Sequence, residues 1–219
     1  MNASAVNKHA LQTSKTRERM IAVAQELYAN RGIDGVSLNQ ILTQAGQKNR
    51  NAMQYHFGNR EGLLQAIVDK HSGAIYDIRS EFIRCAQGES WSPAALAARV
   101  FVQPIASYIE KFPEGVHYVK ILSQLAALNT PAIYGFQGSS LSLRMDPAHQ
   151  RLTSEAVSHL STDEAKRRTF LTVGIVFHSI ADIYRVNELA QAPRVLANRE
   201  KMIEQVICSL QAFYQAAPR

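Results

Sequence analysis

Cysteine is scarce in this sequence, with two residues among 219. Two thiols cannot supply the ligand set of a structural zinc site, so metal ligation by cysteine is excluded by number alone. Cys85 and Cys208 each lie among apolar residues of predicted helices. This setting predicts two buried, reduced thiols rather than a disulfide or a redox switch.

Long apolar runs are missing as well. No segment approaches the roughly 20 uninterrupted apolar residues of a membrane-spanning helix, and residues 1–20 are too polar for a secretory signal. We therefore expect a cytoplasmic protein with no membrane partner. Because 46% of the residues are hydrophobic, the chain has enough apolar side chains to fill a real core.

The motifs of common enzymes are also absent from the sequence. It has no Ser/His/Asp ordering, glycine-rich phosphate loop, HExxH pair or reactive cysteine context. We expect no catalytic residue, no metal and no cofactor, and an enzyme with a helical fold is the weaker alternative. His178 and Asp182, four residues apart, fit a structural hydrogen bond better than a shared metal or polar ligand.

Positive charge is concentrated near the amino terminus. Residues 1–70 contain 9 Lys and Arg against 5 Asp and Glu, whereas residues 71–219 contain 15 against 13. A basic amino-terminal segment suggests a polyanionic partner. An ordinary solvated surface is compatible with the same small excess.

Apolar periodicity predicts an all-α chain of about nine helices, with no strand alternation. Residues 1–14 lack this periodicity and are predicted to form a disordered arm. Residues 129–146 are rich in Gly, Ser and Pro and predict a loop long enough to be functional. The predicted helices cover approximately residues 16–31, 38–45, 49–57, 59–86, 93–111, 113–128, 147–160, 163–189 and 194–215.

Residues 37–57 have the spacing of a helix-turn-helix, with Gly46 between two short helices. Met53 and Phe57, four residues apart, are predicted to face inward. No acidic residue occurs from position 46 to 60, whereas a merely solvated helix is usually rich in Glu and Lys. Long donors, amides and polar aromatics of this kind read base edges or bind phosphate. The side chains left to point outward are Arg50, Asn51, Gln54, Tyr55 and His56.

The run from Arg17 to Leu64 resembles the amino-terminal signature of the TetR family of transcriptional regulators. The resemblance rests on several elements in the right order, above all Tyr55-His56-Phe57 followed by Asn59-Arg60-Glu61. It implies an all-α protein with an amino-terminal three-helix DNA-binding domain at residues 15–62. It also implies a carboxy-terminal helical ligand-binding and dimerisation domain at residues 63–219.

The resemblance also implies DNA contacts. Tyr55, His56 and Arg60 correspond to phosphate contacts, and residues 50–52 and 54 correspond to base readers. The turn before the third helix is one residue longer than is common in the family; we predict Asn49 as the N-cap, with Lys48 beside the positive end of the helix dipole. The full predicted DNA-binding set is Ser37, Gln47, Lys48, Asn49, Arg50, Asn51, Ala52, Gln54, Tyr55, His56 and Arg60.

The carboxy-terminal part carries no comparable motif. In the family its last two long helices pair across a two-fold axis, although such apolar faces can also simply fill a monomer core. The residues predicted for this dimer interface are Phe170, Val173, Gly174, Ile180, Ala181, Tyr184, Ile203, Val206, Ile207 and Leu210. Aromatic and Met residues at helical spacing suggest a ligand pocket. The alternative is that these side chains only fill the hydrophobic core. The pocket candidates are Phe101, Tyr108, His117, Tyr118, Met145, Phe177 and His178.

Taken together, the resemblance implies a homodimeric repressor that a small-molecule effector releases from a palindromic operator in double-stranded DNA. Two recognition helices about 34–36 Å apart would meet successive major grooves. The alternatives are an architectural DNA-binding protein without an inducer, and activation instead of repression.

Overall fold

The computed structural model describes residues 3–128, 146–189 and 191–218, and these residues form ten α-helices and no strand. The all-α expectation is confirmed. A single 3₁₀ turn, Ala86–Gly88, follows the fourth helix. The α-helices are α1 (Ala3–Arg31), α2 (Leu38–Gln44), α3 (Ala52–Phe57), α4 (Arg60–Cys85), α5 (Pro93–Lys111), α6 (Gly115–Leu128), α7 (Pro147–Ala156), α8 (Thr162–Asn187), α9 (Arg194–Ala197) and α10 (Arg199–Gln215).

The amino-terminal arm is a correction to the sequence analysis. Residues 3–14 belong to α1 instead of forming a disordered arm. The segment contains Ala, Lys, Leu and Gln and neither Gly nor Pro. Once the packed turns around Met20 and Tyr28 have formed the helix, it extends towards the amino terminus without an apolar stripe, because propagation costs much less than nucleation.

The carboxy-terminal end contains a second difference. The predicted helix over 194–215 is divided at Asn198 into α9 and α10. The Asn198 side chain accepts a hydrogen bond from the Lys201 amide at 2.9 Å, so it caps α10. An asparagine that caps a new helix competes with continuation of the preceding one.

Local signals fix the beginning of α2. The Ser37 hydroxyl accepts from the Gln40 amide at 3.2 Å, and the Gln40 side chain accepts from the Ser37 amide at 2.7 Å. This reciprocal capping box makes Ser37 the N-cap of α2. Gly46 follows α2 with φ of 68°, a backbone conformation that is strained for residues with a side chain.

The carboxy-terminal core is built around α5. This helix begins with the Ser92 cap and Pro93 and packs against α4, α7 and α10, while α6 packs against α1 and α8. By length and composition α8 also passes as a membrane span. Its buried residues, such as Val173 and Ile180, instead lie in the core of the chain.

This packing corrects two expectations. Both cysteines are exposed, because they lie on the outward sides of α4 and α10. Eight of the ten predicted dimer residues are buried within the single chain, where α8 and α10 pack on each other and on α5 and α6; Gly174 is half-buried and Phe170 exposed. The eight are Val173, Ile180, Ala181, Tyr184, Ile203, Val206, Ile207 and Leu210.

A buried hydrogen-bond network joins α1 to the rest of the chain. The Tyr108 hydroxyl donates to His71 Nδ1 at 2.5 Å, and His71 Nε2 donates to Gln25 Oε1 at 2.8 Å. Gln25 Nε2 in turn donates to the Glu114 carbonyl at 2.9 Å. The His71 ring also stacks on Tyr118, with centroids 4.5 Å apart. Four elements are thus tied together by one chain of satisfied polar groups.

A second connection lies at the other end of α6. Gln124 Nε2 donates to the Tyr28 carbonyl at 2.9 Å, and Gln124 Oε1 accepts from the Ile33 amide at 2.8 Å. One side chain of α6 therefore satisfies backbone groups on both sides of Gly32, where α1 gives way to the connector that leads to α2.

We expect acid to weaken the buried network. Burial, with a smaller contribution from Lys70, lowers the pKa of His71 from 6.5 to about 4. Since this pKa is lower in the folded state, the stabilisation is complete above pH 6.5 and is lost as the pH falls towards 4. The slope for one histidine is at most about 1.4 kcal/mol per pH unit.

Urea unfolding at pH 7, 6 and 5 measures this slope. His71→Gln removes one of the buried histidines whose pKa is lowered, while His149 keeps its own contribution. The pH dependence of the free energy of unfolding should therefore be shallower in the variant than in the wild type, even though the variant is less stable at pH 7. An equally steep dependence in this variant would contradict the role assigned to His71.

Candidate nucleic-acid interface

The interface is built on α2, the seven residues 45–51 that follow it, and α3. The third helix begins at Ala52, three residues later than predicted. The Asn49 side chain does not cap it; Oδ1 of Asn49 accepts from the Asn51 amide at 2.9 Å and closes a local turn. Asn51 occupies the N-cap position without a side-chain hydrogen bond. The prediction that Asn49 is the N-cap is therefore wrong. An asparagine side chain stabilises turns as readily as it caps helices.

The inner face of α3 follows the predicted spacing. Met53 is buried against the same core as Ile41 and Ala45, and Phe57 is half-buried beside it. Ala52 is buried as well, so it faces the domain core and is removed from the set of base readers. The Arg17 guanidinium lies over the Phe57 ring, 5.3 Å from its centroid.

The outer face brings the remaining polar residues of the predicted set together. Lys48, Asn49, Arg50, Asn51 and Gln54 are exposed. Gln47 is half-buried, with its amide 3.5 Å from the Ala45 carbonyl. Tyr55 is 73% exposed, an unusual position for an aromatic residue with no cover. The face therefore offers two cationic side chains, several amides and a phenol to a partner surface.

His56 lies at the edge of this face and is half-buried. Its ring contacts Tyr55 edge to face, with centroids 4.9 Å apart. Desolvation, and then the charge of Arg17, lower the pKa of His56. The neutral ring can still donate one N–H to a phosphate oxygen, so its expected contribution is a hydrogen bond rather than a charge.

Arg60 has a different environment from the one predicted. Its guanidinium donates to the Ile33 carbonyl and lies over the Tyr28 ring, 6.0 Å from the centroid. The side chain is half-buried. In this conformation Arg60 joins the start of α4 to the connector before α2. Ser37 is likewise occupied in the capping box.

Two arginines that sequence reasoning missed border the same region. Arg17 covers Phe57, and the Arg19 guanidinium lies over Gly46, 3.5 Å from where a glycine Cβ would stand. Both belong to α1 and are exposed. Both arginines lie outside the apolar stripe of α1, which indicates that their side chains point away from the core. Their contacts with Phe57 and Gly46 could not be predicted, because these partners are about 30 to 40 residues further along the chain.

The predicted pocket residues do not converge on one cavity. Tyr108 and Tyr118 belong to the His71 network, His117 is half-buried on α6, and Met145 lies outside the described residues. Phe101 and Phe177 contact each other edge to face at 5.9 Å.

His178 and Asp182 do not form the expected hydrogen bond. His178 Nδ1 lies 3.1 Å from the Gly174 carbonyl, and Asp182 pairs with Arg185. Within the described ranges, no group of three His, Cys, Asp or Glu residues has the arrangement of a metal site.

Residues 20–67 match the family model of bacterial regulatory proteins of the tetR family. Residues 20–67 are therefore a TetR-type amino-terminal domain. The segment that matches contains α2, the turn, α3 and the start of α4, and it is therefore a helix-turn-helix DNA-binding domain.

Curated relatives match over the same end of the chain. The HTH-type transcriptional regulator SrpR of Pseudomonas putida is 34% identical over 61 residues, which are 28% of each protein. The HTH-type transcriptional regulator TtgW, from a strain of the same species, is also 34% identical over 61 residues, 28% of this chain and 45% of the relative. The matches thus span less than half the length of either relative.

The fold is shared over a longer range. The crystal structure of a TetR-family regulator from Streptomyces coelicolor A3 superposes with a TM-score of 0.50, covering 93% of this chain and 96% of the other. The sequences are 18% identical over this range, so the comparison establishes the fold alone.

Replacement of Arg60 should lower the stability of the DNA-binding domain. Arg60→Ala removes the hydrogen bond to Ile33 and the contact with Tyr28, which we expect to cost about 1–2 kcal/mol. Arg50→Ala, at an exposed arginine, is the matched control and should leave stability within about 0.5 kcal/mol. Thermal unfolding followed by circular dichroism compares the two, and equal melting temperatures would contradict the structural role of Arg60.

Proposed function

We propose that this protein is a homodimeric transcriptional repressor that binds a palindromic operator through α3 and leaves it when a small-molecule effector binds. The observation that carries the proposal is the outer face of the helix-turn-helix: it is exposed, lacks acidic residues from position 46 to 60, and combines base-reading and phosphate-binding side chains.

The side chains divide by role. Arg50 and Asn51 are exposed immediately before α3, and Gln54 is exposed within it. Their guanidinium and amide groups match the edges of guanine and adenine. Lys48, Tyr55 and His56 flank them and suit phosphate oxygens. Base contacts specify the sequence, whereas the phosphate contacts fix the orientation of the domain on the duplex.

We expect Arg50→Ala and Asn51→Ala to relax the choice of operator. Selection from a random duplex library supplies the preferred sequence, and each variant should lose roughly 10-fold or more in affinity for it while keeping nonspecific binding. Asn30→Ala, at an exposed asparagine of α1, is the control. Unchanged discrimination between operator variants in both the Arg50 and the Asn51 variant would contradict the proposed base contacts.

A dimer is supported by exposed apolar residues near the carboxy terminus. Eight large apolar or aromatic side chains are exposed in the described part of the chain, and five of them lie between positions 170 and 196. Gly174 of α8 also borders open space, because no atom lies within 4 Å of the position that a Cβ would occupy there. The five residues are Phe170, Leu171, Leu189, Val195 and Leu196. A second copy of the chain packed against this region by two-fold symmetry would cover exposed apolar surface.

Dimerisation can be tested with two residues of equal exposure. Leu171 on α8 is 52% exposed, and Tyr76 on α4 is 51% exposed. Leu171→Glu should weaken the dimer at least 10-fold in sedimentation velocity experiments, because it places two charges into an apolar contact. Tyr76→Glu should not change it. Equal effects, or a wild-type monomer at micromolar concentration, would refute this interface.

The hydrogen bonds between α6 and α1 support coupling of an effector to DNA. Gln124 of α6 bonds to backbone groups at the end of α1 and just after it, and Gln25 of α1 bonds to the Glu114 carbonyl immediately before α6. A ligand that moves α6 therefore moves the support of the helix-turn-helix. The same coupling requires that operator DNA weaken ligand binding by the same factor.

A further inference from the structure

Arg19 of α1 lies beside the turn of the helix-turn-helix without an ionic partner. Its guanidinium rests over Gly46, with Nη2, Cζ and Nη1 at 3.5, 3.7 and 3.8 Å from the position that a Cβ would occupy there. The side chain is exposed, and among the described residues it takes part in neither a hydrogen bond nor an ion pair. All five N–H donors of the guanidinium can therefore meet a partner.

Ion pairs are confined to the other part of the chain. Every ion pair among the described residues lies between positions 79 and 204. Around the turn, residues 45–51, the cationic side chains of Lys48 and Arg50 are exposed, and no acidic residue occurs from position 46 to 60. Arg19 thus adds a further positive charge beside a turn whose own cations have no carboxylate partner in the described structure.

The nearest acidic residue in sequence is Glu18, which also belongs to α1. Its carboxylate accepts a hydrogen bond from the Ser14 hydroxyl at 2.9 Å. Consecutive residues of a helix do not face each other, so Glu18 is not placed to pair with Arg19. The Arg19 guanidinium points to Gly46 instead.

Both sides of this contact are held in place. Arg19 immediately precedes Met20, which is fully buried, so its backbone belongs to a packed turn of α1. The Gly46 amide donates to the Thr43 carbonyl at 3.0 Å, which fixes the start of the turn at the end of α2. A cation that a rigid helix presents loses less conformational entropy on binding than one on a mobile loop.

The position of Arg19 suits a backbone phosphate better than a base. Gly46 directly precedes the exposed residues 48–51, which we propose to place in the major groove. That groove is about 12 Å wide and is bordered by the two phosphate strands. Because Arg19 lies beside the turn and belongs to α1, it meets a bordering strand when the outer face of the turn and α3 enters the groove. A guanidinium can bind phosphate through two parallel hydrogen bonds.

We propose that Arg19 is a further DNA contact of this protein, which binds one backbone phosphate at the border of the major groove. The inference rests on the proposed function, because it requires the outer face of the helix-turn-helix to enter that groove. It adds to the helix-turn-helix a contact that α1 supplies and that does not depend on the base sequence.

The salt dependence of DNA binding tests this contact. Each neutralised phosphate contributes about 0.9 to the slope of log K against log salt concentration. Arg19→Gln should therefore lower the slope by about 0.9 per bound subunit, on the selected operator and on a random-sequence duplex alike. Arg19→Lys should keep the wild-type slope, because it keeps the charge. Arg151→Gln, at an exposed arginine of α7, is the matched control and should change neither slope nor affinity.

A purely structural role of Arg19 has a different signature. If Arg19 only held the turn, Arg19→Gln would lower the affinity and the melting temperature and leave the salt slope unchanged. That result, or an unchanged affinity of Arg19→Gln for both duplexes, would overturn the proposal. We expect equal melting temperatures for the wild type and the variant, because an exposed side chain without a hydrogen bond contributes little to stability.

Single neutral methylphosphonate linkages in the selected operator locate the phosphate. At the contacted position the substitution should weaken binding of the wild type roughly fivefold or more, and it should not weaken binding of Arg19→Gln any further. Equal losses for both proteins at every position would refute the contact. If the wild-type chain binds no duplex at any salt concentration, the proposed function fails together with this inference. If it binds and only the comparison with Arg19→Gln fails, the proposed function stands without the Arg19 contact.

Discussion

The attachment of α1 to α6 determines how the DNA-binding domain is held. Gln124 satisfies backbone groups on both sides of Gly32, and Gln25 joins the His71 network to the Glu114 carbonyl. These are buried or partly buried amides, and a buried amide left without a partner costs about 1–3 kcal/mol. The orientation of α1 therefore resists small displacements, and α2 and α3 inherit that orientation because they pack on α1 and α4.

The basic residues of the DNA-binding domain fall into two groups with different surroundings. Arg60 and Arg17 lie against Tyr28 and Phe57, where they support the framework. Arg50 and Lys48 are exposed and free of such contacts in the described structure. Residues that position the domain are thus separate from the exposed residues that we propose to contact DNA.

Features that depend on short-range chemistry were predictable from the sequence. The Ser37 cap, the break at Gly46 and the inward Met53 each depend on neighbours within a few residues. The start of α3 was not predictable, because the turn closed by Asn49 competes with a helix cap that has the same local signature. Partners across the chain were also hidden: Ile33 is 27 residues from Arg60, and four helices converge on Tyr214. The apolar stripes of α8 and α10 indicated burial but did not reveal that the partner is the same chain.

The central claim is that two copies of α3 read successive major grooves of one operator. Hydroxyl-radical footprinting on the selected operator tests it most directly. The account predicts two protected patches related by a two-fold axis, with centres about 10 base pairs or a multiple of that distance apart. A single patch, or uniform protection along the duplex without a centre of symmetry, would contradict it.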